Sequence, residues 1–226
     1  PAFRRARIEL IKENPMSHIR RICSILLKTT VFLCATLGVA IQCGFTQGFL
    51  DFSCLTYFTL MTNAACMIYY LHAANRAIRG GCTLWPRSKG ALLMCVTVTG
   101  LVYHFMLNGR FEMQGTVMLS NLLLHYAVPI GTILDWLLFD RKGSFTPKMA
   151  LLWQLVPLCY TIFVYIAVAF GAVLGPYGEP YFFLDVEKQG LHTVTITIVI
   201  MGVCFYLLSM GIVLLDRSLA KAKQHK

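Results

Sequence analysis

Charged residues are scarce in this sequence. They make up 13% of the 226 residues, which is about half the share found in an average soluble domain. No stretch is long and polar enough to form a separate soluble domain, whereas 57% of the residues are hydrophobic and the mean hydropathy is +0.65. The composition therefore predicts a single integral membrane unit.

Nucleic-acid and nucleotide motifs are also missing. The sequence has no zinc-finger spacing, no RNA-binding signature and no glycine-rich phosphate loop. The net charge of +10 could suggest a nucleic-acid partner, but the basic residues flank apolar runs instead of lining one polar face. We therefore expect membrane lipids as partners, and no nucleic acid.

The nine cysteines form no CxxC pair, and most of them lie inside apolar runs. An odd number without a spacing pattern is typical of small buried hydrophobic residues and not of a disulfide framework. Cys43 and Cys54 could meet at one membrane face, although spacing alone does not fix the geometry that a disulfide needs.

Apolar runs of membrane-spanning length occur six times. Each is long enough for a helix to cross a hydrocarbon core of ~30 Å, and their continuous character disfavours a barrel, whose strands alternate. The predicted fold class is all-α, a polytopic membrane protein with six transmembrane helices. The predicted spans lie near residues 25–45, 54–75, 89–108, 117–139, 149–173 and 192–215.

Basic residues alternate between the predicted loops. The N-terminus, the second and fourth loops and the C-terminus each carry several Arg or Lys, whereas the other loops carry one or none. By the positive-inside rule, both termini are predicted to be cytoplasmic. The predicted organisation is a basic N-terminal segment 1–24, a six-helix domain 25–215 and a basic tail 216–226. Because residue 1 is Pro1, we interpret 1–15 as an upstream extension or a tag, with Met16 as a candidate initiator.

Two of the predicted spans carry polar pairs in their outer halves. Thr59 is five residues into the second span and His125 about eight into the fourth, so they lie ~8 Å and ~12 Å deep. Asn63 follows Thr59 by four residues and Asn121 precedes His125 by four, so each pair shares one helix face. If these faces meet, a hydroxyl, an imidazole and two amides converge.

A structural role is the alternative for several of these residues. Threonine in a membrane helix commonly bonds the carbonyl four residues earlier, and both threonine and asparagine hold helices together. A buried histidine such as His125 is rarer and is the stronger functional candidate. Asp135 lies ten residues after His125, or ~15 Å along the helix. It is therefore predicted to pair with an Arg or Lys on the cytoplasmic side.

Three further titratable residues lie on the outer side of the predicted bundle. His104 is near the outer end of the third span, His192 starts the sixth and Asp185 precedes it. Together with His125 they could bind zinc, which leaves a zinc-dependent intramembrane hydrolase as one alternative, although no span carries an HxxxH pair. A non-enzymatic transporter or scaffold is another alternative. It is disfavoured because the two halves of the sequence do not carry helices broken by Gly or Pro at matching positions.

Three segments carry a resemblance to a known family. In chain order they are "YFTLMTN" at 57–63, "NLLLHYAVPIGTILDWLLF" at 121–139 and "PYFFLDV" at 180–186. Together they resemble the androgen-induced-gene family of six-span membrane proteins, which includes the androgen-dependent TFPI-regulating protein and many bacterial proteins. The likeness covers residues 25–215 in span number and motif order, and it is nearest to the bacterial branch. It implies a multi-pass protein of a bacterial cell membrane.

The resemblance implies an intramembrane threonine hydrolase that cleaves fatty acid esters of hydroxy fatty acids or similar lipid esters. Thr59 falls on the family's nucleophile and His125 on its essential histidine. His125 would accept the hydroxyl proton as Thr59 attacks the ester carbonyl, and no metal or other cofactor is expected. The candidates for oxyanion or supporting roles are Asn63, Thr62, Asn121, Asp185, His104 and His192. Asp185 is also the candidate for orienting His125.

Overall fold

The computed structural model describes residues 18–81, 85–110, 114–175 and 178–224. These residues form helices joined by turns, and five of the helices are long and apolar enough to cross a membrane. The prediction of an all-α, multi-pass membrane protein is confirmed at this level. The number of six spans and the orientation of the termini stay predictions, and the predicted extension 1–15 lies outside the described residues.

Six helices of membrane-spanning length run through the described part of the chain. We number them as follows: α1 is His18–Gln42, α2 is Phe58–Ile78, α3 is Pro86–Val102, α4 is Gly115–Phe139, α5 is Pro147–Ala169 and α6 is Leu191–Gln224. The shorter elements are 3₁₀ turns at Phe45–Gln47, Phe52–Thr56 and Phe182–Leu184 and a single helical turn at Val186–Gln189. The predicted boundaries at 24/25 and 215/216 therefore fall inside α1 and α6.

Helix α2 is the exception among the six, because it has the length to span a membrane but not the hydropathy. It begins at Phe58, four residues later than the predicted span, so Thr59 lies in its first turn and not ~8 Å inside the helix. Its polar residues are covered by neighbouring helices: Thr59, Thr62 and Asn63 are all buried. The opposite face is exposed and carries Met61, Ile68 and Leu71, so α2 is amphipathic, with its polar residues turned toward the protein.

Two hydrophobic clusters share helix α3. The first joins α1, α2, α3 and α4 through Val31, Tyr70, Val96 and Val128, among others. The second packs the opposite face of α3 against α5 and α6, and its buried residues are Leu93, Met94, Cys95, Val98, Trp136, Phe145, Ala150, Trp153 and Val213. The molecule is thus a four-helix core with the α5–α6 pair attached along α3.

Helices α3 and α4 each contain one π-helical turn. In α4 this turn is Leu123–Ala127, closed by the amide of Val128 donating to the carbonyl of Leu123. Pro129 follows directly and has no N–H to offer the carbonyl of His125 four residues earlier, which favours a wider turn there. The π turn that continues α3 is Tyr103–Leu107. Single π turns of this kind occur frequently at functional sites.

Glycine at position 100 lets α3 approach the π turn of α4 closely. A Cβ atom built on Gly100 would lie 2.9 Å from the carbonyl oxygen of His125, which is closer than Cβ atoms normally come to backbone. Any larger residue at this position would push α3 and α4 apart at the level of His125.

A buried charged cluster ties α1, α3 and α4 together. The Asp135 carboxylate accepts hydrogen bonds from Lys28 Nζ at 2.5 Å and from Lys89 Nζ at 2.6 Å, and all three residues are buried. The Tyr70 hydroxyl donates to the same carboxylate at 3.3 Å. The prediction that Asp135 pairs with a basic side chain is confirmed, and this pairing offsets the cost of removing the charges from water.

The connection from α1 to α2 brings Cys43 and Cys54 together, as the sequence suggested was possible. Their Sγ atoms are 3.1 Å apart, and both residues are free thiols. The amide of Asp51 donates to the carbonyl of Cys43 at 2.8 Å, so backbone contacts also hold the loop that leads into the first turn of α2.

Candidate active site

The hydroxyl of Thr59 and the imidazole of His125 meet between α2 and α4. Thr59 Oγ1 lies 3.4 Å from His125 Nε2. Thr59 is in the first turn of α2 and His125 is in the π turn of α4, so the contact joins two helices that are distant in sequence. This separation is at the long end for a hydrogen bond, as is common for catalytic pairs before substrate binds.

The second ring nitrogen of His125 identifies the tautomer. His125 Nδ1 lies 3.1 Å from the carbonyl oxygen of Asn121, one turn earlier in α4. A carbonyl can only accept, so Nδ1 must carry the hydrogen, and a neutral imidazole then presents an unprotonated Nε2. The lone pair of Nε2 faces Thr59, which is the arrangement a general base needs.

The face of the His125 ring lies against Tyr103 in the π turn of α3. The two ring centroids are 4.1 Å apart and the planes are inclined by 30°. The side-chain amide of Asn121 donates to the Tyr103 hydroxyl, so Asn121 contacts both rings. Sequence reasoning missed Tyr103, because a tyrosine near the end of a span is an ordinary interfacial residue.

Thr62 and Asn63 hold the backbone of Thr59 and do not face its hydroxyl. The Thr59 carbonyl accepts from Asn63 Nδ2 at 2.8 Å and from Thr62 Oγ1 at 3.1 Å. Asn63 Nδ2 also reaches the carbonyl of Leu124 in α4 at 3.4 Å, and Thr62 Oγ1 contacts Thr99 Oγ1 in α3 at 3.2 Å. These contacts fix the first turn of α2 against both neighbouring helices.

Tyr181 approaches Thr59 from the connection between α5 and α6. Its hydroxyl accepts a hydrogen bond from the Thr59 amide at 3.4 Å, and its ring stands edge-on to Tyr57, with centroids 5.8 Å apart. Burial raises the pKa of the Tyr181 phenol, so the hydroxyl keeps its proton and can donate it. Tyr181 belongs to the "PYFFLDV" segment, yet no role was predicted for it.

The remaining predicted candidates lie in other surroundings. The Asp185 carboxylate caps the Val186–Gln189 turn, accepting from the Lys188 amide at 2.9 Å, and it pairs with Lys188 Nζ at 3.6 Å. It is therefore the Asn121 carbonyl, and not Asp185, that contacts His125 Nδ1. His104 Nδ1 lies 3.1 Å from the Tyr126 hydroxyl at an exposed position, and His192 is exposed near the start of α6.

The ligand set of the zinc alternative does not converge in this fold. Among residues 18–81, 85–110, 114–175 and 178–224, no three His, Cys, Asp or Glu side chains are placed to hold one metal ion. The geometry around His125 is that of a hydrogen-bonded imidazole between Thr59 and Asn121.

An apolar cavity opens beside Thr59. Its volume is about 250 Å³, and its walls come from α3, α5 and α6, with the first turn of α2 and the Tyr181–Leu184 segment at one end. An apolar cavity of this kind is suited to a ligand that is mostly hydrocarbon.

Comparison of the chain with protein-family models, curated proteins and solved structures found no match.

Proposed function

We propose that the protein is an intramembrane lipid ester hydrolase with Thr59 as nucleophile and His125 as general base. The observation that carries the proposal is the Thr59 Oγ1 to His125 Nε2 contact of 3.4 Å, with Nε2 left unprotonated by the Asn121 carbonyl on Nδ1. A threonine hydroxyl needs an adjacent base to act as a nucleophile at neutral pH, and this contact supplies one.

The reaction proceeds through an acyl-threonine. As Thr59 Oγ1 bonds to the ester carbonyl carbon, its proton moves to His125 Nε2. The bond from that carbon to the alkoxy oxygen then breaks, and the imidazolium returns the proton to the leaving oxygen. Water next attacks the acyl-threonine, again giving its proton to His125, and the free acid leaves while Thr59 regains its hydrogen.

The oxyanion is stabilised at the N-terminus of α2. The amide of Thr59 is one of the first-turn N–H groups that a helix leaves without intrahelical partners. In the resting structure it donates to the Tyr181 hydroxyl. That hydroxyl has its own hydrogen to give to the developing negative charge. One such donor is typically worth ~3 kcal/mol of transition-state stabilisation. Thr62 and Asn63 have a supporting role, because their donors bond backbone carbonyls.

The resemblance to the androgen-induced-gene family supports the same two residues and suggests the substrate class. We propose fatty acid esters of hydroxy fatty acids, or similar long-chain lipid esters, as substrates of a bacterial cell-membrane protein. The apolar cavity beside Thr59 supports a substrate with an aliphatic chain.

The proposed topology has six spans with both termini cytoplasmic and the site in the outer half of the bilayer. Helix α2 then counts as one of the six spans, with its polar residues turned toward the neighbouring helices. Alternation of basic loops supports this arrangement. Reporter tags at either terminus should be found in the cytoplasm, and one placed in the α5–α6 connection should be found outside. An external C-terminus would contradict it.

Labelling of the purified protein by a fluorophosphonate probe tests the nucleophile directly. We expect a covalent adduct on Thr59, located by peptide mass, and its loss in Thr59→Ala. Thr195→Ala is the matched control, because this threonine lies on the exposed face of α6 and bonds the Leu191 carbonyl. Labelling that persists in Thr59→Ala would overturn the assignment.

Hydrolysis of a long-chain ester in the presence of a strong chelator separates this mechanism from the zinc alternative. Threonine chemistry predicts an unchanged rate. Loss of hydrolysis with release of stoichiometric zinc, and recovery on adding zinc back, would favour the metal-dependent mechanism.

A further inference from the structure

We propose that the cavity between α3, α5 and α6 binds the acyl chain of the ester, and that Gly202 sets the chain length the enzyme accepts. This inference rests on the proposed function, since it assigns the acyl side of the ester to a defined part of the fold.

The cavity extends from Thr59 along the helix axes. Its lining on α6 runs from Ile198 to Phe205, and on α5 it runs from Thr161 back to Gln154. Seven residues of helix correspond to ~10 Å, so the cavity is elongated and leads away from the reactive hydroxyl. An acyl group attached to Thr59 Oγ1 would extend into it.

The polar residues in the walls direct their hydrogen bonds into the protein. Thr161 Oγ1 donates to the carbonyl of Pro157 at 2.9 Å, and Thr99 Oγ1 donates to the carbonyl of Cys95 at 3.0 Å. Such back-bonding leaves the methyl group of each threonine to contact a ligand. The walls therefore offer hydrocarbon contacts along most of their length, which suits an aliphatic chain and not a charged headgroup.

The inner end of the cavity is closed by Gln154. Its side-chain nitrogen donates to the Ala150 carbonyl at 3.0 Å and to the Ser209 hydroxyl at 2.8 Å, which joins α5 to α6. The cavity ends at this closure. Each buried methylene contributes ~0.8 kcal/mol, so affinity should rise with chain length until the inner end is reached.

A lateral opening toward the lipid lies between α5 and α6. Leu158 lines the cavity and is 50% exposed, and Gly202 lines it from an exposed position on α6. A lipid ester can therefore enter sideways from the bilayer, with its carbonyl at the level of Thr59.

Gly202 is a lining residue at which there is room for a larger side chain. A Cβ atom built there would meet no heavy atom within 4 Å, so a larger side chain can be placed without moving the backbone. Glycine inside a helix lowers stability by about 1 kcal/mol relative to alanine. The open space beside Gly202 is therefore kept at a cost in the stability of α6.

The test compares Gly202→Leu with Gly211→Leu. Gly211 is also an exposed glycine of α6, and a Cβ atom there would likewise meet no heavy atom within 4 Å, but it does not line the cavity. Each protein is assayed in detergent on esters of one alcohol with butanoic, octanoic, dodecanoic and hexadecanoic acids.

We expect Gly202→Leu to lower the ratio of kcat/KM on the hexadecanoyl ester to kcat/KM on the butanoyl ester by at least about tenfold, the equivalent of about 1.4 kcal/mol. Gly211→Leu should follow the wild-type profile. An unchanged chain-length profile in Gly202→Leu, or an equal loss on all four esters, would overturn the inference.

A binding measurement separates failure of this inference from failure of the proposed chemistry. A photoactivatable hexadecanoic acid is cross-linked to the inactive Thr59→Ala protein, and the labelled peptides are identified by mass spectrometry. Cross-links on the lining of α3, α5 and α6, reduced by adding Gly202→Leu, support the acyl site even if no ester is hydrolysed. Cross-links confined to lipid-facing surfaces would contradict it.

Discussion

The ring of Tyr103 lies flat against the imidazole of His125, with centroids 4.1 Å apart and planes inclined by 30°. Asn121 contacts both rings, through its carbonyl to His125 Nδ1 and through its side-chain amide to the Tyr103 hydroxyl. The imidazole proposed as general base is therefore oriented by a backbone carbonyl and a stacked phenol. In many hydrolases a carboxylate performs this orientation.

Two substitutions of Tyr103 should separate stacking from hydrogen bonding. Tyr103→Phe keeps the ring against His125 and loses the bond from Asn121, so we expect a small fall in kcat. Tyr103→Leu loses both contacts and should lower kcat much further, because misplacing a catalytic group by a fraction of an ångström is costly. KM should change little in either variant. A parallel rise in KM would indicate that Tyr103 acts on substrate binding instead.

Thr59 and His125 should behave as one functional unit. If His125 acts by activating Thr59, then Thr59→Ala, His125→Ala and the double variant should lose similar activity, since residues that act together are strongly non-additive. Ester hydrolysis by the purified proteins measures this, with a monodispersity check on each. Losses that multiply in the double variant would mean that the two residues act independently.

Tyr181→Phe tests the proposed oxyanion donor. The substitution keeps the aromatic packing and removes the hydroxyl that contacts the Thr59 amide. Loss of one donor should lower kcat by about a hundredfold or more, with little effect on thermal stability. Tyr165→Phe is a suitable control, because that hydroxyl bonds the Leu184 carbonyl nearby. Equal activity in the two variants would remove Tyr181 from the mechanism.

Gly100→Ala should impair catalysis from a position that contacts no substrate. The added Cβ would lie 2.9 Å from the His125 carbonyl, so the π turn of α4 must move and Nε2 must shift relative to Thr59. We expect kcat to fall by about tenfold or more. The matched control is Gly211→Ala, where open space surrounds the new methyl group. Wild-type turnover in Gly100→Ala would show that this close approach is not needed.

Asp135→Asn should reduce stability and leave the catalytic geometry intact. The substitution leaves Lys28 and Lys89 buried without their shared carboxylate, and breaking a buried ion pair from one side typically costs about 3–5 kcal/mol. We expect a clearly lower midpoint of thermal unfolding in detergent. Activity per folded molecule should hold, since Asp135 lies ~15 Å along α4 from His125.

Asp51→Asn is the matched control for the charged cluster, because Asp51 is exposed and asparagine can also cap the turn that it begins. It should unfold at nearly the wild-type temperature. A midpoint for Asp135→Asn equal to that of the control would mean that the buried cluster contributes little to stability.

The sequence predicted the class of the fold, and it identified Thr59 and His125 as polar residues on helix faces that could meet, for identifiable reasons. Long apolar runs predict membrane helices directly, and a histidine inside such a run is rare enough to attract attention. The pairing of Asp135 followed from its depth and from the nearby bases. Each of these inferences depends on composition along one helix.

Other features depend on contacts that one helix does not encode. Tyr103 and Tyr181 matter because of what they contact, and a tyrosine near a membrane interface is otherwise an ordinary feature of a sequence. The π turns at Tyr103–Leu107 and Leu123–Ala127 leave no periodic signal, although Pro129 hints at one. The sequence predicted that the second span begins at residue 54 and not at Phe58, because the preceding 3₁₀ turn, Phe52–Thr56, is itself largely apolar.

The polarity of α2 has a consequence for biogenesis. A segment of low hydropathy partitions poorly from an insertion channel into lipid when it is alone. In the proposed six-span arrangement, α2 would enter the bilayer only together with a more apolar neighbour, and α1, against which it packs, is synthesised just before it. The two helices would then insert as a hairpin, so Thr59 would reach its depth in the membrane before α4, which carries His125, has been made.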